Sequence, residues 1–163
     1  DVATFVSQIT ASCDVDIAGN FDVQSNAVVG GDLSVSGSSH FAGRVIETLT
    51  KTDVNAQNNT LAAAQIKAGI VIHTSETGGG TVTMDTASNI ISGVPLTKDN
   101  QAVKCYYIND GDQDLTFAND AGNTTQVHDT GAILMSDEGV TLLFVRESNS
   151  AVRMYTLGGG AAD

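Results

Sequence analysis

The chain has 163 residues, with seven Lys plus Arg against nineteen Asp plus Glu and a formal net charge of −12 at pH 7, a balance that repels a phosphate backbone and argues against nucleic-acid binding. Hydrophobic residues make up 41% and charged residues only 16%, with 17 Gly, one Pro and no Trp, which excludes full disorder and disfavours a helical bundle, since bundles need more Glu, Lys and Arg. No apolar run approaches the roughly 20 residues of a membrane-spanning helix, so membrane insertion is not expected.

Residues 5 to 46 divide without gaps into seven hexads: FVSQIT, ASCDVD, IAGNFD, VQSNAV, VGGDLS, VSGSSH and FAGRVI. The first position is apolar throughout, the third is Gly, Ser or Cys, and the fifth is mostly apolar. No odd-numbered position from 5 to 45 is charged, whereas Asp14, Asp16, Asp22, Asp32 and Arg44 all fall on even ones. Charge confined to one parity predicts extended strands, because successive strand side chains point to opposite faces. A small residue at every third inward position predicts an interior too narrow for a side chain, or a sharp turn of the backbone. The expected inward set is Ile17, Gly19, Phe21, Val23, Val29, Gly31, Leu33, Val35, Gly37, Phe41, Gly43 and Val45.

Such a segment has no core of its own to offset about 1–2 kcal/mol per residue of backbone ordering. Three arrangements supply one. Three intertwined copies, each giving one side of a β-helical or β-prism shaft, bury the inward parity and remove the sheet edges. A single-chain left-handed β-helix takes three hexads per coil, so seven hexads make little more than two coils, fewer than a stable repeat array needs. An ordinary pair of sandwich strands is the third. The trimeric shaft is the reading favoured here.

Residues 47–69 are expected as a polar connector ending in a short helix, with Thr60 as its cap, Lys67 in the last turn and Gly69 in the left-handed terminal position. Beyond it, strands are predicted at Ile70–Thr74, Thr81–Asp85, Asn89–Ser92, Ala102–Asn109, Asp114–Ala118, Thr125–His128, Ala132–Ser136, Val140–Glu147 and Ala151–Leu157, separated by Gly-, Asn- and Asp-rich turns. Eight or nine short strands within 70–163 suggest a sandwich head of jelly-roll type. The whole is therefore expected to be all-β: a shaft at 1–46, a connector at 47–69 and a head at 70–163. Val140–Val145 is apolar on both parities, which predicts cover on both faces, the outer one from a helix or a neighbouring subunit.

Few residues suggest chemistry. Asp110, Asp112 and Asp114 alternate as at the start of a calcium loop, but the sixth position is Leu115 and the twelfth Ala121, so a solvated turn is preferred over a metal site. His40, His73 and His128 lie far apart, and Cys13 and Cys105 form neither a zinc motif nor a disulfide framework. Gly78-Gly79-Gly80 lacks the Lys-Ser/Thr of a phosphate loop and is expected as a hairpin tip. Asn58-Asn59-Thr60 and Asn123-Thr124-Thr125 are formal glycosylation sequons.

The stretch DIAGNFDVQSNAVVGGDLSVSGSSHFAGRV resembles the repetitive shaft of viral fibre proteins. NNTLAAAQIKAGIVIHT, TVTMDT, VKCYYINDGDQDLTFAND and LLFVRESNSAVRMYTL resemble the small β-sandwich heads of spike, fibre and minor capsid proteins of phages and large double-stranded DNA viruses. The resemblance implies a homotrimeric, non-enzymatic spike on the virion surface, with other capsid proteins and a host-surface receptor as partners and no cofactor. It transfers no catalytic or receptor-binding residue. Two alternatives stand beside it: a trimeric hexapeptide-repeat acyltransferase, in which His40 or His73 is the candidate base, and a capsid cement or decoration protein without a receptor role.

Overall fold

The computed structural model describes residues 23, 27–30, 33, 35, 38–39, 45–75, 78–128 and 131–158, and the chain divides into two units, Asp1–Val45 and Ile46–Asp163. In the first unit, Ile17, Gly19, Phe21, Gly31, Gly37, Phe41 and Gly43 of the expected shaft core lie outside the described residues. Val23, Val29, Leu33, Val35 and Val45 lie within them; all five are exposed on the single chain and carry no regular secondary structure.

The second unit is mostly strand. In chain order it contains β1 (Thr50–Val54), β2 (Asn59–Leu61), α1 (Ala63–Ala68), β3 (Gly69–His73), β4 (Gly80–Met84), α2 (Ala87–Gly93), β5 (Ala102–Asn109), β6 (Leu115–Ala118), β7 (Thr125–Val127), β8 (Ile133–Leu134), β9 (Glu138–Ser148) and β10 (Ala151–Leu157). One sheet has the order β1-β3-β5-β9-β10-β7 and the other β2-β4-β6-β8. Odd and even strands from β1 to β6 thus alternate between the sheets. Strands that follow one another in sequence do not pair, and next-but-one strands run parallel: β1 with β3, β3 with β5, β2 with β4 and β4 with β6. Parallel neighbours need a crossover of a dozen or more residues. The intervening strand of the other sheet, with α1 or α2, is that crossover.

This corrects the expectation of a jelly roll, whose strands are antiparallel. Among the described residues, antiparallel pairing is confined to β5 with β9, β9 with β10 and β6 with β8, so both sheets are mixed. The Gly78–Gly80 and Asp110-Gly111 segments, read as hairpin turns, instead carry the chain from one sheet to the other. Among the described residues, only the expected Ser148-Asn149-Ser150 turn closes a tight hairpin, between β9 and β10.

Three further expectations change. The polar stretch 47–59, expected as connector, contains β1 and the start of β2. Thr60 lies in β2 and does not cap α1. The Ala62 N–H donates to Gln65 Oε1 at 2.9 Å, and the Ala63 N–H donates to the Asp85 carboxylate at 3.3 Å, so a carboxylate from beyond β4 faces the positive end of the helix. Gly69 does adopt the left-handed conformation at the helix end, with φ of 93°, which a residue with a Cβ adopts only at a cost. Asn89–Ser92, read as strand, belongs to α2, where the Thr86 side chain accepts from the Asn89 N–H and Ala87 and Ile90 face inward. Four apolar-rich residues fit either structure; the cap decides it.

Both sheets and both helices share one apolar cluster. Val71, Cys105, Tyr107, Leu142, Phe144 and Met154 come from the larger sheet, Leu61, Val82, Met84, Leu115 and Phe117 from the smaller, and Ile66 and Ile90 from the helices. Tyr107 and Phe117 meet edge to face across the sheets, with ring centroids 5.6 Å apart, the geometry that the ring quadrupoles favour. Phe117→Ala should therefore lower unfolding free energy by about 3–5 kcal/mol, measured by urea denaturation at neutral pH; a loss below about 1 kcal/mol would show that this contact does not join the sheets.

Candidate functional site

The polar groups inside the second unit come first, because buried polar side chains are where chemistry or structure must account for their presence. His73, at the end of β3, is fully buried. Its Nε2 lies 2.7 Å from the carbonyl oxygen of Ala56, and its Nδ1 lies 2.7 Å from the Tyr107 hydroxyl. A carbonyl only accepts, so Nε2 carries the proton, and Nδ1 accepts from the Tyr107 O–H. Burial holds the imidazole below its usual pKa of 6.5, against the opposing effect of the Ala56 hydrogen bond. Burial also pushes the Tyr107 hydroxyl upward, with the nearby Asn59 side chain acting the other way and the neighbouring Cys105 adding to the rise. The pair is neutral and sealed from solvent, so it fastens β5 and the 55–58 loop to β3 and offers no base to a substrate.

Cys105, on the same strand, is buried and its thiol is pushed up to about 12 by burial, which leaves almost no thiolate at neutral pH. His128 is exposed and lies against Tyr155, with ring centroids 5.0 Å apart. His40 and Cys13 fall outside the described residues.

The three aspartates of the Asp110–Asp114 segment are all exposed, and among the described residues no group of three or more His, Cys, Asp and Glu side chains is placed to hold a metal. Asn109 organises this turn. Its buried amide donates to the carbonyls of Gln113, Leu134 and Met135 at 2.8, 3.2 and 3.0 Å, while its oxygen accepts from the Gly111 N–H. A Cβ at Gly111 would run into the Ser75 backbone, so the glycine serves a close chain crossing. Asp120 does the same for the next turn. Its carboxylate accepts from Gly122 N–H and Thr124 Oγ1 at 3.0 Å and from Thr125 N–H at 2.6 Å, and Thr124 Oγ1 in turn accepts from the Ala87 N–H at the start of α2. Sequence reasoning singled out neither residue, although Asn and Asp before Gly are turn formers of this type.

The feature left over is a surface. On the face of the larger sheet away from the core, the register aligns Ile70 with Tyr106, Tyr106 with Thr141 and Thr141 with Leu157, and beside this row Ile72 with Ile108 and Leu143 with Tyr155. Tyr106 is 40% exposed, Ile108 36% and Leu157 43%. Ile70, Tyr106, Ile108, Gly139, Thr141 and Leu157 help line an open groove of about 450 Å³. The outward positions of β3, β5 and β10, and of β9 from Gly139 to Val145, carry no carboxylate. The expected cover on the outer side of Val140–Val145 is thus not supplied by either helix, because α1 and α2 contribute Ile66 and Ile90 to the core.

Comparison with protein-family models, with curated proteins and with solved structures finds no match for this chain.

Two expected outcomes follow from the buried polar groups. The unfolded chain binds a proton at His73 near pH 6.5, which the folded chain binds only at lower pH, so stability is fully present above that value and falls as pH drops through it. Urea midpoints measured in steps between about pH 7.5 and about pH 5.5 should decline, and His73→Gln should flatten the decline; an equal slope in both proteins would exclude His73 as its source. Asp120→Ala should cost about 3 kcal/mol, because it strands the buried Thr125 N–H and breaks a charge-assisted set. Thermal melting with little change would mean that water replaces the carboxylate.

Proposed function

We propose that this chain is a virion structural protein: a homotrimeric surface spike or fibre in which residues 1–46 form a three-chain β-helical or β-prism shaft and the second unit forms the head. The reading rests on one observation, the confinement of charge to one parity through seven hexads. The described members of that inward set support it. Val29, Leu33 and Val35 are 53%, 71% and 51% exposed on the single chain, and burial of a Val or Leu side chain contributes about 1.5–3 kcal/mol. Sister copies supply the missing contacts, and closure about an axis leaves no free edge strand.

Binding rather than catalysis is supported by the second unit. Of its described histidines, His73 is sealed in the core and His128 lies on the surface against Tyr155, and its cysteine is buried and protonated. The role we assign is attachment, with a capsid protein at one end, a host-surface receptor as the target and no cofactor. Three copies carry a formal charge of −36, three times −12. Neighbouring spikes then repel one another and basic partner surfaces attract them, both effects weakening with salt.

Sedimentation equilibrium of the full chain should give three times 16.8 kDa. Gly31→Phe places a bulky ring on the inward parity and should return the chain to a monomer. A monomeric wild-type chain, or a Gly31→Phe chain that remains a trimer, would overturn the close-packed shaft.

A further inference from the structure

We infer that the outward apolar face of β3, β5, β9 and β10 is a contact surface for a second copy of this chain. Ile70 and Tyr106 are register neighbours, as are Ile72 and Ile108, and with Leu157 beyond Thr141 they make one largely apolar patch around the groove; contiguous patches of this kind mark interaction sites rather than ordinary surface.

Charge selects the occupant. The chain carries nineteen Asp and Glu, yet the outward positions of the four central strands are free of carboxylates up to Glu147, which is engaged by Arg153 at 2.6 Å. Two copies of a protein at −12 repel each other over most orientations, and they approach at least cost through a face from which the repelling charge has been withdrawn. Lys104 lies beside Leu143 on this face, and among the described residues it makes no salt bridge within 4 Å, unlike Lys51, Arg146 and Arg153. An unengaged cation at the margin of an apolar patch suits an acidic neighbour, and a second copy is one. In a ring of three the contact is heterologous, so the face need only complement a different surface of the next subunit.

The inference rests on the trimeric reading in one respect: a shaft that joins three chains holds their heads at an effective concentration in the millimolar range, at which a modest patch suffices. A labelling experiment on the full chain separates the two. Ile108→Cys is made in a Cys13→Ser background, with Cys105 left buried, and its reaction with a maleimide is timed alongside sedimentation. The reference is the same protein carrying Gly31→Phe. Labelling at least about tenfold slower in the trimer than in the monomeric reference is expected, because the thiol is then covered by a neighbour. Tyr106→Asp should restore fast labelling while the shaft still sediments as a trimer, with circular dichroism confirming the fold. A trimer that labels as fast as the monomer overturns the inference and leaves the shaft reading intact. A wild-type chain that is monomeric at every concentration overturns both, and a Gly31→Phe chain that still trimerises with the thiol protected overturns the shaft reading while supporting the contact surface.

Discussion

The alternation of strands between two sheets constrains the second unit more than any other feature. Because β1 to β6 change sheets at every step, backbone hydrogen bonds join strands far apart in sequence and leave sequential neighbours unpaired. Between the crossovers, the sheets are held to each other by side-chain packing. That task falls on the shared apolar cluster, with Tyr107 against Phe117 at its centre, and on the helices, which fill the crossovers and send Ile66 and Ile90 inward. A protein built from hairpins can keep each pair of strands locally; among the described residues this one has only the β9–β10 hairpin to fall back on.

The buried polar residues follow from the same constraint. Each change of sheet turns the backbone sharply, and the turning amides and carbonyls need partners where water is scarce. Asn109 supplies them at the turn after β5, Asp120 at the turn after β6, and His73 with Tyr107 at the loop between β1 and β2. These are the side chains a search for catalysis would collect first, since they are buried, titratable or both. Most of their hydrogen-bond partners are backbone groups of the turns and of the strands beside them, which accounts for them as fasteners of the crossovers.

The sequence made the later strands legible because their signals are local. β5 and β10 have the predicted limits, and β9 reaches beyond its predicted segment at each end, since apolar-rich runs of β-favouring residues bounded by Asn, Asp and Ser clusters specify a strand without reference to its partner. β1 and β2 were not legible. Thr50-Lys-Thr-Asp is polar because β1 is an edge strand with only Val54 buried, and nothing in its composition separates it from a connector. The pairing pattern was hidden for a different reason: a Gly-containing turn looks alike whether it returns the chain to the same sheet or sends it across. The apolar outer parity of Val140–Val145 was readable, but the groove was not, because it depends on β3 and β5 lying beside β9 in a particular register.

The two ends of the chain present one physical problem in two forms. In the hexad segment the described apolar residues Val29, Leu33 and Val35 are exposed on the single chain; in the second unit the core is filled from both sheets, and apolar side chains remain on the far side of a sheet already buried on one face. A sheet that needs only one covered face places charge on the other, as the acidic composition of this chain would readily allow, yet the outward positions of its four central strands are apolar or small with Lys104 and Arg153 as the only charges before Glu147. Both features put apolar surface where a single copy cannot use it, and both avoid acidic residues at the same positions. In a chain with nineteen carboxylates, that shared avoidance links the hexad segment to the second unit: each leaves its apolar positions clear of negative charge, as the proposed meeting of like-charged copies requires.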